Sequence, residues 1–241
     1  MTIKELKVYR RDALLGALGA LLMLIGDLCL SVIPASQSDS GLFMRGAYLS
    51  GMWEPWRFKV LIATGFTGMA LEYFLVCVLC RQILPCYRKT RTVILISGVI
   101  ILSSAAALHL FIGSLVDWTV TLAPIIGRDE TVALIEAKFN YLMPSMYISY
   151  VALALLFLVS AFAVGTGRTV LPQRMIMLHM IVFQLIFVLI PDIRRALGAT
   201  ISTWDYVLSQ GSTNASLCIW MATNALWTGV QIKREGKACQ I

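Results

Sequence analysis

The feature that most constrains this chain is a series of six apolar runs, each long enough to cross a lipid bilayer. A helix needs about 20 mainly apolar residues to span the roughly 30 Å hydrocarbon core. The runs lie near residues 13–33, 58–80, 92–114, 143–165, 174–191 and 212–231. Because the intervening segments are too short for a soluble domain, the sequence predicts a single transmembrane domain over residues 1–241. The expected fold class is an all-α integral membrane protein, a six-helix transmembrane bundle.

The composition agrees with this prediction. Hydrophobic residues make up 59% of the chain and charged residues 14%. A soluble domain has about 45–50% apolar and about 25% charged residues. The first run follows several basic residues, but it is longer than the roughly 7–15 apolar residues of a signal peptide. The pattern therefore favours a retained membrane anchor.

The basic residues are unequally distributed between the two sides of the expected bundle. With the N-terminus in the cytoplasm, 13 Lys and Arg fall on cytoplasmic segments and 7 on outer segments. Short loops rich in Lys and Arg stay on the cytoplasmic side of a membrane. We therefore expect a multi-pass protein of the cell membrane with both termini in the cytoplasm. The net charge of +7 is then a topology signal, and it gives no reason to expect a nucleic-acid partner.

The outer connections, about 34–57, 115–142 and 192–211, are longer than the cytoplasmic ones, and each contains tryptophan. Helical spacing in the first predicts a short amphipathic interfacial helix carrying Leu42, Gly46, Leu49, Trp53 and Trp56. In the second, Asp129 is expected to cap a helix with one apolar side, formed by Val132, Ile135, Phe139 and Leu142. These amphipathic segments on the outer face either form an aromatic belt or cover an outward-facing cavity.

Ionisable residues inside the runs are the best candidates for a functional site. An Asp near the centre of a membrane helix costs about 2.5–3.5 kcal/mol, so it usually faces protein or water and has a partner. A rise of about 1.5 Å per residue places Asp27 and His109 at a similar depth in the outer third. A second, lower level contains Glu72, His179 and Asn224. Glycines near both acids predict that the acids point into the bundle, because small residues let membrane helices approach closely.

We expect Asp27 and His109 to be the catalytic pair, in contact directly or through one water. An Asp–His pair can orient an imidazole and keep it basic, the arrangement used for proton transfer. The expected ligand-binding residues are Tyr147, Tyr150, Glu72, His179 and Asn224. The alternative for both levels is that these residues only form buried hydrogen bonds between helices.

Other motifs add little. The chain has no G-x-S-x-G, no H-E-x-x-H and no phosphate-binding glycine loop. Cys77 and Cys80 form a lone C-x-x-C, and buried cysteine usually acts as a small apolar residue. Asn214-Ala215-Ser216 matches the N-glycosylation pattern but lies at the mouth of the sixth run. We expect no metal site and no cofactor.

Two short patterns resemble known families. Gly26-Asp27 in the first run, with Gly65, Gly68 and Glu72 in the second, resembles an uncharacterised bacterial family of small six-helix integral membrane proteins. That resemblance implies no established activity. Asn224-Ala225-Leu226-Trp227 is similar to the N-x-x-W of emopamil-binding-type sterol isomerases. Those enzymes shift a double bond with membrane-buried acids and a histidine, whereas the acids here lie on other helices than the motif.

Three functions stay open on the sequence alone. The first is a protein that binds or modifies an apolar, lipid-like molecule in a polar intramembrane pocket, with membrane lipids and an apolar small molecule as partners. The second is a proton-linked transporter or pore, and the third a non-catalytic assembly or immunity-type subunit. A blind pocket would favour the first, a continuous path the second and a packed centre the third. The sequence decides neither enzyme activity nor oligomeric state.

Overall fold

The computed structural model describes residues 1–36, 39 and 45–238, and this part of the chain is all-α. The helices, in chain order, are α1 (Ile3–Ser31), α2 (Gly46–Leu49), α3 (Pro55–Gln82), α4 (Arg88–Ile126), α5 (Arg128–Gly165), a 3₁₀ helix (Gln173–Leu178), α6 (Met180–Ala196) and α7 (Thr203–Ala238). The β pairing in the described residues is an isolated bridge between Ile83 and Thr169.

Five helical segments are long and apolar enough to cross a membrane: α1, α3, α4, Met146–Gly165 within α5, and Gln173–Ala196, which joins the 3₁₀ helix to α6. Helix α7 covers the sixth predicted run and is 36 residues long, but it is not among these segments. The reason is its many polar side chains, which include Ser209, Gln210, Ser212, Thr213, Asn214, Ser216, Asn224 and Thr228.

The α-helices other than α2 form an open ring in the order α6, α7, α1, α3, α4, α5. Each neighbour packs along the next, but the two ends of the series, α5 and α6, touch at few positions. Both termini lie at one end of the ring, where Gly229 of α7 packs against Arg10 of α1. We call this the termini end, and the opposite end, where α4 meets α5, the hairpin end.

Glycine allows α1 and α3 to approach most closely. A Cβ on Gly68 would lie 2.8 Å from the backbone oxygen of Gly19, and a Cβ on Gly19 would lie 2.8 Å from the oxygen of Gly68. Any side chain would force the two backbones apart. The glycines of the first two runs therefore allow α1 and α3 to approach closely, as expected from the sequence.

The second outer connection consists of extensions of the two flanking helices, whereas the sequence predicted one additional helix there. Helices α4 and α5 are 39 and 38 residues long, and a single turn residue, Gly127 with φ +93°, separates them. At about 1.5 Å per residue each helix measures roughly 57 Å, far more than a roughly 30 Å hydrocarbon core. The two helices therefore form a hairpin that is longer than a single membrane crossing.

Three of the four residues of the apolar stripe predicted on this hairpin pack in one apolar cluster, and Leu142 is not part of it. Ile135 is buried against Leu115 and Val116 of α4, and Val132 and Phe139 pack beside it. The predicted cap is wrong, because the residue before the helix is Gly127 and Asp129 lies in the first turn. Glycine takes this position because its positive φ is unfavourable for other residues.

The amphipathic helix predicted in the first outer connection is not formed by the described residues. Helix α2 has four residues, Trp53 is buried beyond its end, and Trp56 is exposed on α3; Leu42 lies outside the described residues. The reason is the indole N–H of Trp53, which donates to the backbone oxygen of Cys29 at 2.9 Å. This bond draws Trp53 into the bundle, so the two tryptophans do not share one face.

Candidate functional site

The ring of helices encloses a cavity of about 410 Å³, lined by side chains from all seven α-helices. Most of the surface that lines it is apolar, with Met23, Leu30, Ile101 and Leu153 among the residues that form it. About half of the lining residues carry polar side chains, and they include both acids singled out in the sequence. Small-molecule sites commonly have this composition.

Asp27, on α1, lies at the middle of the cavity and has two partners. Its Oδ2 accepts a hydrogen bond of 2.8 Å from the amide nitrogen of Asn214 on α7. Its Oδ1 lies 3.7 Å from Nε2 of His109 on α4. This distance is close enough for an ion pair and too long for a good hydrogen bond. The predicted proximity of Asp27 and His109 is therefore confirmed, while a catalytic role stays a prediction.

His109 fits into the bundle because glycines leave room for its ring. A Cβ on Gly65 of α3 would lie 3.5 Å from the Cβ of His109, and one on Gly26 of α1 would lie 3.6 Å from its Nδ1. Two helix backbones thus pack directly against the imidazole. The Gly26-Asp27 pair and Gly65 together fix the position of His109 opposite the Asp27 carboxylate.

Glu72 lines the same cavity as Asp27 and His109, so it does not share a separate site with His179 and Asn224. Its side chain lies on α3 and is 4% exposed. Its Oε1 has no hydrogen-bond partner among the described residues. A buried carboxylate oxygen without a partner is unfavourable, and such an atom calls for an explanation.

His179 and Asn224, predicted to bind ligand, do not line the cavity. Nε2 of His179 pairs with Ser160 at 3.1 Å, and Nδ1 accepts from the backbone N–H of Ile181 at 3.2 Å, capping α6. Oδ1 of Asn224 accepts from the hydroxyl of Tyr9 at 2.6 Å. Both ring nitrogens of His179 are therefore occupied, which leaves none for Glu72.

The ring of Trp220 joins these two groups at the termini end. The imidazole of His179 lies 4.6 Å from the Trp220 ring, and the amide nitrogen of Asn224 donates to the Trp220 backbone oxygen at 2.8 Å. We call Tyr9, Ser160, His179, Trp220 and Asn224 the termini-end network. The network lies among tightly packed apolar residues. Its contacts join α1, α5, α6 and α7.

The two tyrosines predicted to bind ligand differ in position. Tyr150 lines the cavity, whereas Tyr147, one turn earlier on α5, does not and is 57% exposed. Tyr150 is also exposed at the surface, as is Val188, which lines the cavity from α6. Since α5 and α6 touch at few positions, these two exposed lining residues lie on the helices that flank the open side of the ring.

Sequence reasoning missed Asn214, the partner of Asp27. Its only signal was the glycosylation pattern, and the structure places its side chain in the bundle, hydrogen-bonded and 8% exposed. Gln184 was also missed; its amide nitrogen donates to Ser212 at 3.0 Å across the cavity wall. A neutral amide in an apolar run gives little sequence signal, because the insertion cost that singles out charged residues is much smaller for it.

Arg45 lies at the hairpin end of the bundle. Its side chain is fully buried, and its guanidinium donates to the backbone oxygens of Ser31 at 3.1 Å and Ile33 at 2.6 Å, just where α1 ends. It also lies 3.9 Å from the centre of the Tyr206 ring. A cation at the carboxyl end of a helix satisfies carbonyls that lack helical partners.

Two tyrosines surround Arg45. Tyr48, which lines the cavity, donates to the backbone oxygen of Leu30 at 2.8 Å. Burial raises the pKa of Tyr48 to about 12. Its hydroxyl therefore stays protonated at neutral pH and acts as a hydrogen-bond donor. Arg45 and its neighbours hold the hairpin end of the cavity together.

The fold and the site together define a class: a helical bundle with membrane-length apolar helices around a mainly apolar cavity that contains two acids. The chain belongs to the DUF6796 family, a family of unknown function, whose model matches residues 1–222. No curated protein and no solved structure matches the chain. Neither Asn224 nor Trp227 of the N-x-x-W pattern lines the cavity.

Proposed function

We propose that this protein binds an apolar, lipid-like molecule in the cavity between its helices. The observation that carries the proposal is the cavity itself: a space of about 410 Å³ with a mainly apolar surface and polar side chains in its wall. Ligand sites in proteins typically measure roughly 300–1,000 Å³ and have this composition. The opening between α5 and α6 gives an apolar molecule a route from the bilayer.

The proposal includes a membrane topology. We place six spans in the cell membrane, with α7 as the sixth and both termini in the cytoplasm. Helix α7 is less apolar than the others, but it packs along α1 and α6 and faces its polar residues, such as Asn214 and Asn224, into the bundle. A polar helix is compatible with a membrane when its polar groups face protein. The excess of Lys and Arg near the termini end supports the orientation.

Cysteine labelling tests this topology in intact cells. One variant keeps Cys86, which is exposed near the termini end, as its single cysteine; the other has Leu197→Cys, at a position 81% exposed near the hairpin end. We expect an impermeant maleimide to label the Leu197→Cys variant from outside and Cys86 only after permeabilisation. The reverse pattern would show that the orientation is inverted.

The binding proposal is favoured over a transporter by the packing beyond Glu72. Toward the termini end, α3 continues with Leu75, Val76 and Leu79, all buried in the larger apolar core of the bundle. The termini-end network fills the space between α1 and α7 at the same level. This packing supports a blind cavity and gives no continuous path from one end to the other among the described residues. A purely structural role is disfavoured by the cavity.

Asp27 and His109 are the groups that we propose for any proton transfer to or from the ligand. The carboxylate lies 3.7 Å from the imidazole, and it can stabilise a proton held there. Asn214 holds the other carboxylate oxygen, so Asp27 is fixed in position. These contacts support a site for chemistry without requiring it, and binding alone satisfies the proposal.

A cavity-filling variant tests the binding proposal. Ala105 of α4 lines the cavity, and Ala107, two residues along the same helix, is exposed and does not. Protein in lipid nanodiscs is extracted, and co-purified apolar molecules are identified by mass spectrometry. We expect a specific apolar molecule with the wild type and with Ala107→Phe, and its loss from Ala105→Phe. Equal recovery from all three proteins would contradict the proposal.

A further inference from the structure

We propose that the ligand is a lipophilic amine, and that its ammonium group binds at Glu72 while its apolar body fills the cavity. This inference rests on the proposed function and names the chemical class of the ligand. It follows from the polar atoms that line the cavity without a partner, from the charges around them and from the position of Glu72.

The unpartnered atoms in the cavity wall are mostly hydrogen-bond acceptors. Four residues that line the cavity have a buried polar atom with no partner among the described residues: Oε1 of Glu72, Oγ of Ser149, Oε1 of Gln184 and Oε1 of Gln210. Three of these atoms are carboxylate or amide oxygens, which only accept, and the serine hydroxyl can accept as well. A ligand that satisfies this wall must supply hydrogen-bond donors. An ammonium group has three donors and no acceptor.

The charges point to the same group. Asp27 and Glu72 both line the cavity, and no Lys or Arg is found among the described residues of its lining. Asp27 has Asn214 and His109 beside it, whereas Oε1 of Glu72 has no hydrogen-bond partner among the described residues. A buried carboxylate is stabilised by an opposite charge close to it. A cationic ligand supplies that charge, whereas a carboxylate or phosphate headgroup would add repulsion.

The position of Glu72 sets the orientation of the ligand. Glu72 lies seven residues beyond Gly65, the glycine that contacts His109, in the direction of the termini end. That separation is about 10 Å along the helix. The next turn of α3 enters the packed apolar core through Leu75. The ammonium group therefore binds at the closed end of the cavity, and the apolar body extends toward the opening beside Tyr150 and Val188.

A competition assay with four dodecyl compounds tests the inference. Wild-type protein in nanodiscs of neutral phosphatidylcholine binds radiolabelled dodecylamine, and empty nanodiscs correct for partitioning into lipid. The competitors are dodecylamine, dodecyltrimethylammonium, dodecanol and laurate. We expect dodecylamine to compete about tenfold better than dodecanol, because a charge-assisted hydrogen bond is worth roughly 1.4 kcal/mol or more. The trimethylammonium compound should rank below the primary amine because it has no N–H donor, and laurate should compete least.

Three variants assign the effect to Glu72. Glu72→Gln should weaken dodecylamine binding about tenfold and leave dodecanol competition nearly unchanged. Glu72→Asp keeps the charge and should preserve the order amine above alcohol. The matched control, Glu136→Gln, changes an exposed acid on the hairpin and should have no effect.

The outcomes separate the inference from the function on which it rests. Equal competition by dodecanol and dodecylamine, strongest competition by laurate, or unchanged amine binding in Glu72→Gln would each overturn the amine assignment. In that case, a loss of binding of all the probes in Ala105→Phe would still support an apolar ligand site. Binding that persists for all probes in Ala105→Phe would overturn both proposals.

Discussion

Two polar regions of this bundle contain similar residues, but the hydrogen bonding of those residues differs between the regions. In the termini-end network, the side-chain groups of Tyr9, His179 and Asn224 all have hydrogen-bond partners, and only the indole nitrogen of Trp220 has none among the described residues. In the cavity, Asp27 is paired with Asn214, but an oxygen of Glu72 has no partner in the described part of the chain. The sequence gives the two regions equal weight, since each contains an acid or amide and a histidine.

The difference teaches which buried polar groups hold the bundle together. A satisfied polar group contributes to stability through its partner, and removing one member leaves the other buried and unpaired. An unpartnered group in a cavity has no such role in the folded protein, so its partner is to be sought outside the chain. Variants that change one region at a time can break or sharpen this comparison.

The largest effect is expected from Gly68→Val, at the seam between α1 and α3. A Cβ at this position would lie 2.8 Å from the backbone oxygen of Gly19, so the helices must separate. We expect a loss of about 3 kcal/mol in the free energy of unfolding, at the upper end of overpacking effects. Equilibrium unfolding in detergent measures it.

Gly65→Val is the matched control one turn earlier on the same helix. There the nearest atom to a new Cβ is a side-chain carbon of His109 at 3.5 Å, an ordinary contact. We expect a smaller loss of stability together with weaker ligand binding, because His109 is displaced. Equal destabilisation by the two variants would show that the cavity level is as rigidly packed as the seam.

The next effect compares two asparagines of α7. Asn224→Ala removes the partner of the Tyr9 hydroxyl and should destabilise the protein by roughly 1–3 kcal/mol without changing ligand affinity. Asn214→Ala removes the partner of Asp27 at the cavity and should weaken binding more than it destabilises. Unfolding and nanodisc binding are measured on both variants. If Asn224→Ala alone weakened binding, the termini-end network would have to be part of the site.

A smaller effect on stability is expected from Glu72→Ala. If Glu72 only formed buried hydrogen bonds, the alternative left open by the sequence, its removal would cost roughly 1–3 kcal/mol by leaving polar partners unpaired. Because Oε1 of Glu72 has no such partner in the described structure, we now expect a change of less than about 1 kcal/mol. A thermal-shift series of wild type, Glu72→Gln and Glu72→Ala measures this, and a large loss in the alanine variant alone would restore the scaffold role.

The smallest effect is expected at the two tyrosines of α5. Tyr150→Ala should weaken ligand binding by about threefold, less than 1 kcal/mol, because one wall of the cavity recedes. Tyr147→Ala should leave binding unchanged, since its side chain does not line the cavity. Binding in nanodiscs tests both, and a stronger effect at Tyr147 would mean that the ligand leaves the cavity along the outside of α5.

The sequence predicted the positions of the helices better than it predicted which side chains face the cavity. Hydrophobic runs locate helices because the insertion free energy adds over about 20 residues. Asp27 and His109 could be paired from their depth alone, since depth along a helix follows from a fixed rise per residue. Rotation about the helix axis does not follow from depth, and it decided the rest: Glu72 faces the cavity, whereas His179 and Asn224 do not.

Arg45 shows a different limit. Its buried position depends on carbonyls at the end of α1, which every helix exposes and which no side-chain pattern records. The length of α4 and α5 was missed for a related reason. Outside a hydrocarbon core, a helix can continue because its residues favour the helical conformation and because it packs against a neighbouring helix. Such helix extensions have mixed polarity, and hydropathy does not detect them.

The gap between α5 and α6 has a consequence for how affinity should be measured. With the proposed topology, a molecule that enters the cavity through this gap arrives from among acyl chains, where an apolar solute is far more concentrated than in water. Occupancy is then set by the mole fraction of the molecule in the bilayer, and the aqueous concentration matters only through partitioning. Each CH₂ group favours transfer of the molecule from water into the membrane by about 0.8 kcal/mol, and this concentrates the molecule before it binds the protein. A weak affinity of the protein for the membrane-dissolved molecule is therefore enough to fill the site. Dissociation constants for this protein should therefore be expressed per lipid, and titrations repeated at two lipid-to-protein ratios.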